Sequence, residues 1–154
     1  MKIKLLCFLL TAVSLLTTFS CKEPAPRLDV NKQLDYCASQ ALRTLTDIPT
    51  LGDIPNNIDK DSLSWNYTRP GSWTSGCWPG ILWYLYEDTH NELWKNAAEE
   101  VTATIIPMTQ KKAHSHDSGF ITMCSLGNGY RLTENPMYRE SLLSAANYLT
   151  ELYN

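Results

Sequence analysis

From Trp78 to Tyr86 the chain reads Trp-Pro-Gly-Ile-Leu-Trp-Tyr-Leu-Tyr, a helical stretch with no polar side. A helix that is apolar all round has to be surrounded by other elements, so it cannot lie on the surface of a small fold. Pro79 is tolerated only near a first turn, so this helix cannot begin much before Ser75. The other helical stretches are amphipathic. Leu34, Ala38, Ala41, Leu42 and Leu45 recur at helical spacing and predict a helix over roughly Asp29 to Leu45. Pro49, Gly52 and Pro55 then break the chain, and Asn56 to Ser75 reads as a polar loop studded with Trp65, Tyr67 and Trp73. Asn91 caps a third helix with Leu93, Ala97, Ala98 and Val101 on one face, which Pro107 ends or kinks. A fourth helix is predicted from about Ser118 to Leu126, stopped by Gly127-Asn128-Gly129. The last stretch, Pro136 to Tyr153, aligns Tyr138, Leu142, Ala145, Ala146, Leu149 and Leu152 on one stripe. No segment of any length alternates with period two. The expectation is an all-α protein of about five helices.

A buried helix among amphipathic ones implies an inner and an outer layer. A two-layer helical toroid needs more than five helices to close, so the pattern predicts the opening, unclosed portion of something longer. A small helical bundle is the plainer alternative.

One ordinary domain fits 154 residues. With 13 Lys plus Arg against 16 Asp plus Glu, the net charge of −3 argues against a nucleic-acid partner, which needs a concentrated basic face. At 44% hydrophobic and 19% charged, the composition is wrong for a disordered chain. Lys2 and Lys4 precede an apolar run from Leu5 to Leu16, and small or polar residues then lead to Cys21. A basic start, a short apolar core and a small residue before a cut site describe an export signal over residues 1–20. The run is too short to span a bilayer comfortably.

Thr17-Thr18-Phe19-Ser20-Cys21 resembles the lipobox of bacterial lipoproteins, in which the cysteine becomes the lipidated first residue; Thr18 stands where that box usually has Leu. An ordinary signal peptide cleaved nearby is the alternative. Lys22-Glu23 and Pro24-Ala25-Pro26 then form a short stiff tether over residues 21–28, ahead of the folded part at 29–154. The expected location is a bacterial membrane surface, periplasmic or outward-facing, reached through lipid on Cys21. Loss of the leader makes the mature chain more acidic. Cys37, Cys77 and Cys124 then remain, an odd number without CxxC spacing, so neither a zinc site nor a disulfide framework is expected. They read as small buried apolar residues, with at most one bridge.

Two clusters could carry chemistry. Trp65, Tyr67 and Trp73 sit in the loop, and indole faces stack on the apolar faces of sugar rings; a hydrophobic lid over the helices is the plainer reading. The other cluster is His114-Ser115-His116-Asp117-Ser118-Gly119-Phe120. His and carboxylate are good metal ligands, but a third ligand on a rigid element is missing, so no metal or other cofactor is expected. Asp117 reads as the N-cap of the fourth helix, where free N–H groups favour its ionised form. A charged Asp117 beside His116 can orient a hydroxyl or support a proton transfer, but makes a poor general acid.

These residues resemble the unsaturated glucuronyl hydrolases, glycoside hydrolase family 88. The matching pieces are Ser72 through Trp83 (SWTSGCWPGILW), His116 through Phe120 (HDSGF) and Ser125 through Thr133 (SLGNGYRLT), in the family's order and spacing. Cys77 departs from a usual Phe and Ser118 from a usual aliphatic residue. The resemblance covers roughly Leu34 to Asn154. It implies an (α/α)6 barrel of six inner and six outer helices with a substrate pocket at one end. The implied substrates are lyase-generated, glycosaminoglycan-type oligosaccharides with a 4,5-unsaturated uronic acid at the non-reducing end. The implied reaction is hydration of that enol ether. Asp117 matches the family's supporting catalytic aspartate, and Trp73 a pocket tryptophan; His116 and Trp65 join them as candidate substrate-binding residues. The family's acid/base aspartate lies in a later helical segment, which implies that residues 1–154 alone do not turn over substrate. Two alternatives remain: a non-catalytic sugar-binding lipoprotein, and a fragment like the unsaturated rhamnogalacturonyl hydrolases, which share the barrel and the chemistry.

Overall fold

The computed structural model describes residues 27–113 and 115–153. The proposed leader, Cys21 and most of the tether lie outside these residues. Elements follow in the order α1 (Val30–Asp47), β1 (Ile54–Ile58), β2 (Trp65–Thr68), α2 (Cys77–Thr89) and α3 (Glu92–Ile105). A 3-10 turn (Ile106–Gln110), α4 (Ser118–Thr122), a π turn (Met123–Gly127), α5 (Asn128–Thr133) and α6 (Pro136–Thr150) complete the series before a terminal 3-10 turn (Glu151–Tyr153). Because α4, the π turn and α5 run on without a break, the described residues form five helical rods. That matches the all-α expectation, with one exception. Among the described residues no helix is long and apolar enough to cross a membrane.

The exception is a hairpin inside the stretch read as loop. β1 and β2 pair antiparallel, with Ile54 opposite Thr68 and Ile58 opposite Trp65, and a bulge between Pro55 and Asn57. Pro55, Asn56 and Asn57 are poor strand formers, whereas Trp65, Tyr67 and Thr68 are good ones. The short strands therefore leave little periodicity to detect. The turn is closed by Asp59, whose carboxylate accepts from the amides of Asp61 (3.0 Å) and Ser62 (2.8 Å). Those amides hold the Asp59 carboxyl below its usual range.

The chain divides into two compact units, one up to Leu34, which takes in the first turn of α1, and one from Asp35 onward. In that turn the Asp29 carboxylate accepts from the Lys32 amide at 3.1 Å. The second unit is centred on α2. Leu82 and Trp83 are fully buried, as are Ile105 of α3 and Leu126 of the π turn. Trp83 donates from its indole nitrogen to the Thr102 hydroxyl at 3.0 Å and meets Tyr86 and Tyr138 edge-on. The Trp78 indole nitrogen is buried without a hydrogen-bond partner.

Four details differ from the sequence reading. First, α2 is not buried on every side: Ile81 and Tyr84 are 47% and 59% exposed, and Cys77 is exposed. Apolar patterning records what a side chain prefers, not which neighbours it has. Second, Gly127-Asn128-Gly129 does not stop a helix; α5 continues to Thr133 and ends at Glu134 in the left-handed region (φ 55°). Gly129 serves packing, since a Cβ there meets Tyr138 Cε2 at 2.8 Å and Trp83 Cζ2 at 3.0 Å. Third, Cys37 and Cys77 are exposed and Cys124 is half-buried, so none is a core residue. Burial raises the Cys124 thiol pKa. Fourth, the stripe of α6 buries Tyr138 and Ala145 but leaves Ala146 exposed, while off-stripe Ser141 is buried.

Other features agree. Asn91 caps α3 by accepting from the Leu93 amide at 3.0 Å, and Pro107 sits at the start of the 3-10 turn (Ile106–Gln110) that follows it. Asn91→Ala is expected to lower stability by about 1 kcal/mol, measured by urea unfolding. Gly76 packs α2 directly on α4, because a Cβ there lies 2.3 Å from the Ile121 carbonyl oxygen. A backbone atom cannot swing aside as a side-chain tip can. Gly76→Ala is expected to destabilise the fold by about 1–3 kcal/mol through overpacking, read as a lowered midpoint in the same experiment.

Candidate functional site

The loop after β2 turns back on itself before α2. The Ser72 amide donates to the Arg69 carbonyl (3.2 Å), the Ser75 amide to Ser72 (2.8 Å) and the Cys77 amide to Thr74 (2.9 Å). The Gly71 amide donates to the Ser75 hydroxyl at 3.2 Å, and the Thr74 hydroxyl donates to Asn56 at 2.7 Å, tying the turn to the hairpin. Held between these bonds, Trp73 is 64% exposed. The indole is therefore not a core residue of the described chain.

Trp73 lines a pocket of about 650 Å³, and Asp117 lines the same pocket. Its floor comes from the 3-10 turn, Ile121 of α4 and Ala145 of α6. The volume falls in the usual range for small-ligand sites.

Asp117 is held differently from the expectation. It flanks α4 without making a side-chain capping bond. The Ser118 and Gly119 amides instead donate to the carbonyls of Ser115 (3.3 Å) and His116 (3.0 Å). Ser115 closes the turn: its hydroxyl accepts from the Asp117 amide (3.1 Å) and donates to the Asp117 carboxylate (2.9 Å). The carboxylate's other oxygen lies 3.4 Å from Nε2 of His116, a side chain 74% exposed. With the Ser118 and Gly119 amides already satisfied by carbonyls, the carboxylate keeps capacity to accept from a ligand.

Of the four candidate site residues, the pocket brings together Trp73 and Asp117. His116 reaches it only through Asp117. Trp65 is half-buried in β2 opposite Ile58 and is not a pocket residue. His114 lies outside the described residues. Sequence reasoning passed over Lys111, Lys112 and Tyr148 and gave Ser115 no role within its cluster; all four line the pocket. The Lys-Lys pair just ahead of the His/Asp cluster was the available signal.

No protein-family model matches the chain. It is 34% identical over 83 residues to an unsaturated glucuronyl hydrolase of Formosa agariphila, covering 53% of this chain and 20% of the relative. Over 83 residues it is also 32% identical to an unsaturated chondroitin disaccharide hydrolase of Streptococcus pneumoniae, covering 53% of this chain and 21% of the relative. The crystal structure of an unsaturated glucuronyl hydrolase specific for heparin superposes with a TM-score of 0.70 at 30% identity, over 77% of this chain and 31% of that one. The chain is similar to part of the unsaturated glucuronyl hydrolases. A variant of the Streptococcus agalactiae glucuronyl hydrolase, complexed with dGlcA-GalNAc6S, shares the fold with a TM-score of 0.67 at 23% identity. That match covers 82% of this chain and 34% of the other. The chain thus spans a fifth to a third of the length of these glucuronyl hydrolase relatives.

Proposed function

We propose that this chain forms the indole-and-carboxylate wall of a saccharide pocket in a hydrolase that releases a 4,5-unsaturated uronic acid from oligosaccharides. The observation that carries the reading is that Trp73 and Asp117 line one pocket in a chain similar to unsaturated glucuronyl hydrolases. That likeness favours glucuronyl over rhamnogalacturonyl substrates.

The chemistry follows from the enol ether, which needs no pair of carboxylates flanking a glycosidic bond. A proton goes to C4, leaving an oxocarbenium-like centre at C5. Water adds there and loses a proton. The resulting hemiketal opens and expels the remaining sugar. Trp73 offers a flat apolar surface to the ring. Asp117, oriented by Ser115, accepts from a sugar hydroxyl or from the attacking water.

Among the described residues Asp117 is the sole carboxylate lining the pocket, and protonation of C4 calls for a second acidic group. Binding without turnover is therefore the behaviour assigned to this chain. Adding an unsaturated disaccharide is expected to change the Trp73 emission while the absorbance of the conjugated double bond persists. Emission unaltered at millimolar disaccharide contradicts the saccharide reading; steady loss of absorbance contradicts the restriction to binding.

Asp117→Asn is expected to weaken binding by about 1.5–3 kcal/mol, the range for a hydrogen bond to a charged group. Its melting temperature should match the wild type, because the side chain does not cap α4. Calorimetric titration and thermal melting check the two halves.

Placement is the other part of the proposal: a lipid on Cys21 holds the domain at a bacterial membrane surface, a reading supported by the sequence around Cys21. Cys21→Ser is expected to move the protein from the membrane fraction to the soluble one on cell fractionation.

A further inference from the structure

We propose that Lys111 and Lys112 form an anion-receiving rim of this pocket, which takes a carboxylate or sulfate ester of the bound saccharide; the inference rests on the saccharide reading above. Both lysines line the pocket and both are exposed. Among the described residues neither is in a salt bridge, whereas Asp117, the one acid of the lining, is engaged by Ser115 and His116.

The backbone beneath the two lysines is fixed on both sides. Thr109 is buried, and its carbonyl accepts from the Ser144 hydroxyl of α6 at 2.7 Å. The Lys111 amide donates to the Met108 carbonyl at 3.3 Å. Ala113, on the far side, is buried as well. Two flexible cationic stems therefore rise from an anchored segment beside an indole and a carboxylate.

Charge balance gives the arrangement a purpose. The chain is acidic overall, at −3, so its distant field repels a uronic acid oligosaccharide. Beyond a Debye length of about 8 Å at physiological ionic strength that repulsion is screened, and nearby charges decide the encounter. Pairs of lysines in loops are usually solvated and without a ligand. Here, however, they outnumber the acid of a pocket that also presents Trp73. Lysine is a mobile point charge rather than a planar fork, so it accommodates carboxylate or sulfate, and among the described residues no arginine lines the pocket.

The test titrates the full chain calorimetrically with three ligands: an unsaturated non-sulfated disaccharide, its 6-sulfated counterpart and a neutral disaccharide. In Lys111→Gln/Lys112→Gln the affinity for the anionic ligands is expected to fall about three- to tenfold at low salt, as suits exposed ion pairs, and the difference should shrink at high salt. Neutral disaccharide binding should not change. A larger loss for the sulfated ligand assigns the rim to sulfate; equal losses assign it to the carboxylate. Lys111→Arg/Lys112→Arg keeps the charge and should keep most of the affinity. Unchanged anion affinity in the glutamine variant, or an equal loss for the neutral sugar, overturns the rim while leaving the saccharide pocket standing. A wild-type chain that binds none of the three overturns both.

Discussion

Trp83→Ala is expected to lower the folding free energy by about 3–5 kcal/mol, the range for deleting a large buried aromatic. The indole is fully buried, and its neighbours come from different parts of the chain. Tyr86 lies on its own helix, Thr102 on α3 and Tyr138 on α6, with ring centroids at 6.4 Å for Tyr86 and 6.2 Å for Tyr138. Removing the ring opens a cavity among three helices and leaves the Thr102 hydroxyl without its donor in the core. Trp83→Phe fills part of that cavity but still abandons Thr102. Its loss should be smaller, and Thr102→Val added to it should recover some of the deficit. Denaturant unfolding followed by circular dichroism measures all three variants. A Trp83→Ala midpoint within experimental scatter of the wild type would mean that the core is not organised around this ring.

Trp73→Ala is expected to act on binding instead. Loss of an exposed stacking indole should weaken binding of an unsaturated uronic acid disaccharide by about 1–3 kcal/mol, the range for aromatic stacking on planar bases. Stability should stay within about 0.5 kcal/mol, because the side chain is largely in solvent and its turn is held by backbone and hydroxyl bonds. The two tryptophans lie ten positions apart in one motif-bearing stretch, yet one is fully buried and the other, largely in solvent, is proposed to contact ligand. A Trp73→Ala variant that binds normally but melts early would reverse that assignment and place the indole in the core.

The helices were legible because their signals are local. Asn91, Pro79 and Pro107 act within a turn, and the structure uses Asn91 as a cap; Asn135 caps α6 in the same way, a signal the sequence reading left unused. The hairpin was not legible, since its register depends on pairing across Asp59 to Ser64 and its first strand carries Pro55 and two asparagines. Gly127 and Gly129 misled for a related reason. A glycine that lets Tyr138 and Trp83 approach looks, in sequence, like a glycine that ends a helix. At the site, Trp73 and Asp117 were found through motif, while their shared pocket was not visible from the sequence. Trp65 was drawn in by the same aromatic clustering, but its place depends on strand pairing. Asp117 looked like a cap because an aspartate before a helix usually is one. Ser115, two residues earlier, closes the turn in its place and holds the carboxylate through its hydroxyl.

The shared pocket is tested most directly by a nuclear magnetic resonance titration of isotope-labelled chain with an unsaturated uronic acid disaccharide. Shifts should concentrate at the Trp73 indole N–H and at the amides of Ser115, Asp117 and Lys111, while the Trp65 indole stays still. Shifts confined to other surfaces, or none at millimolar ligand, would contradict a pocket built from this indole and this carboxylate.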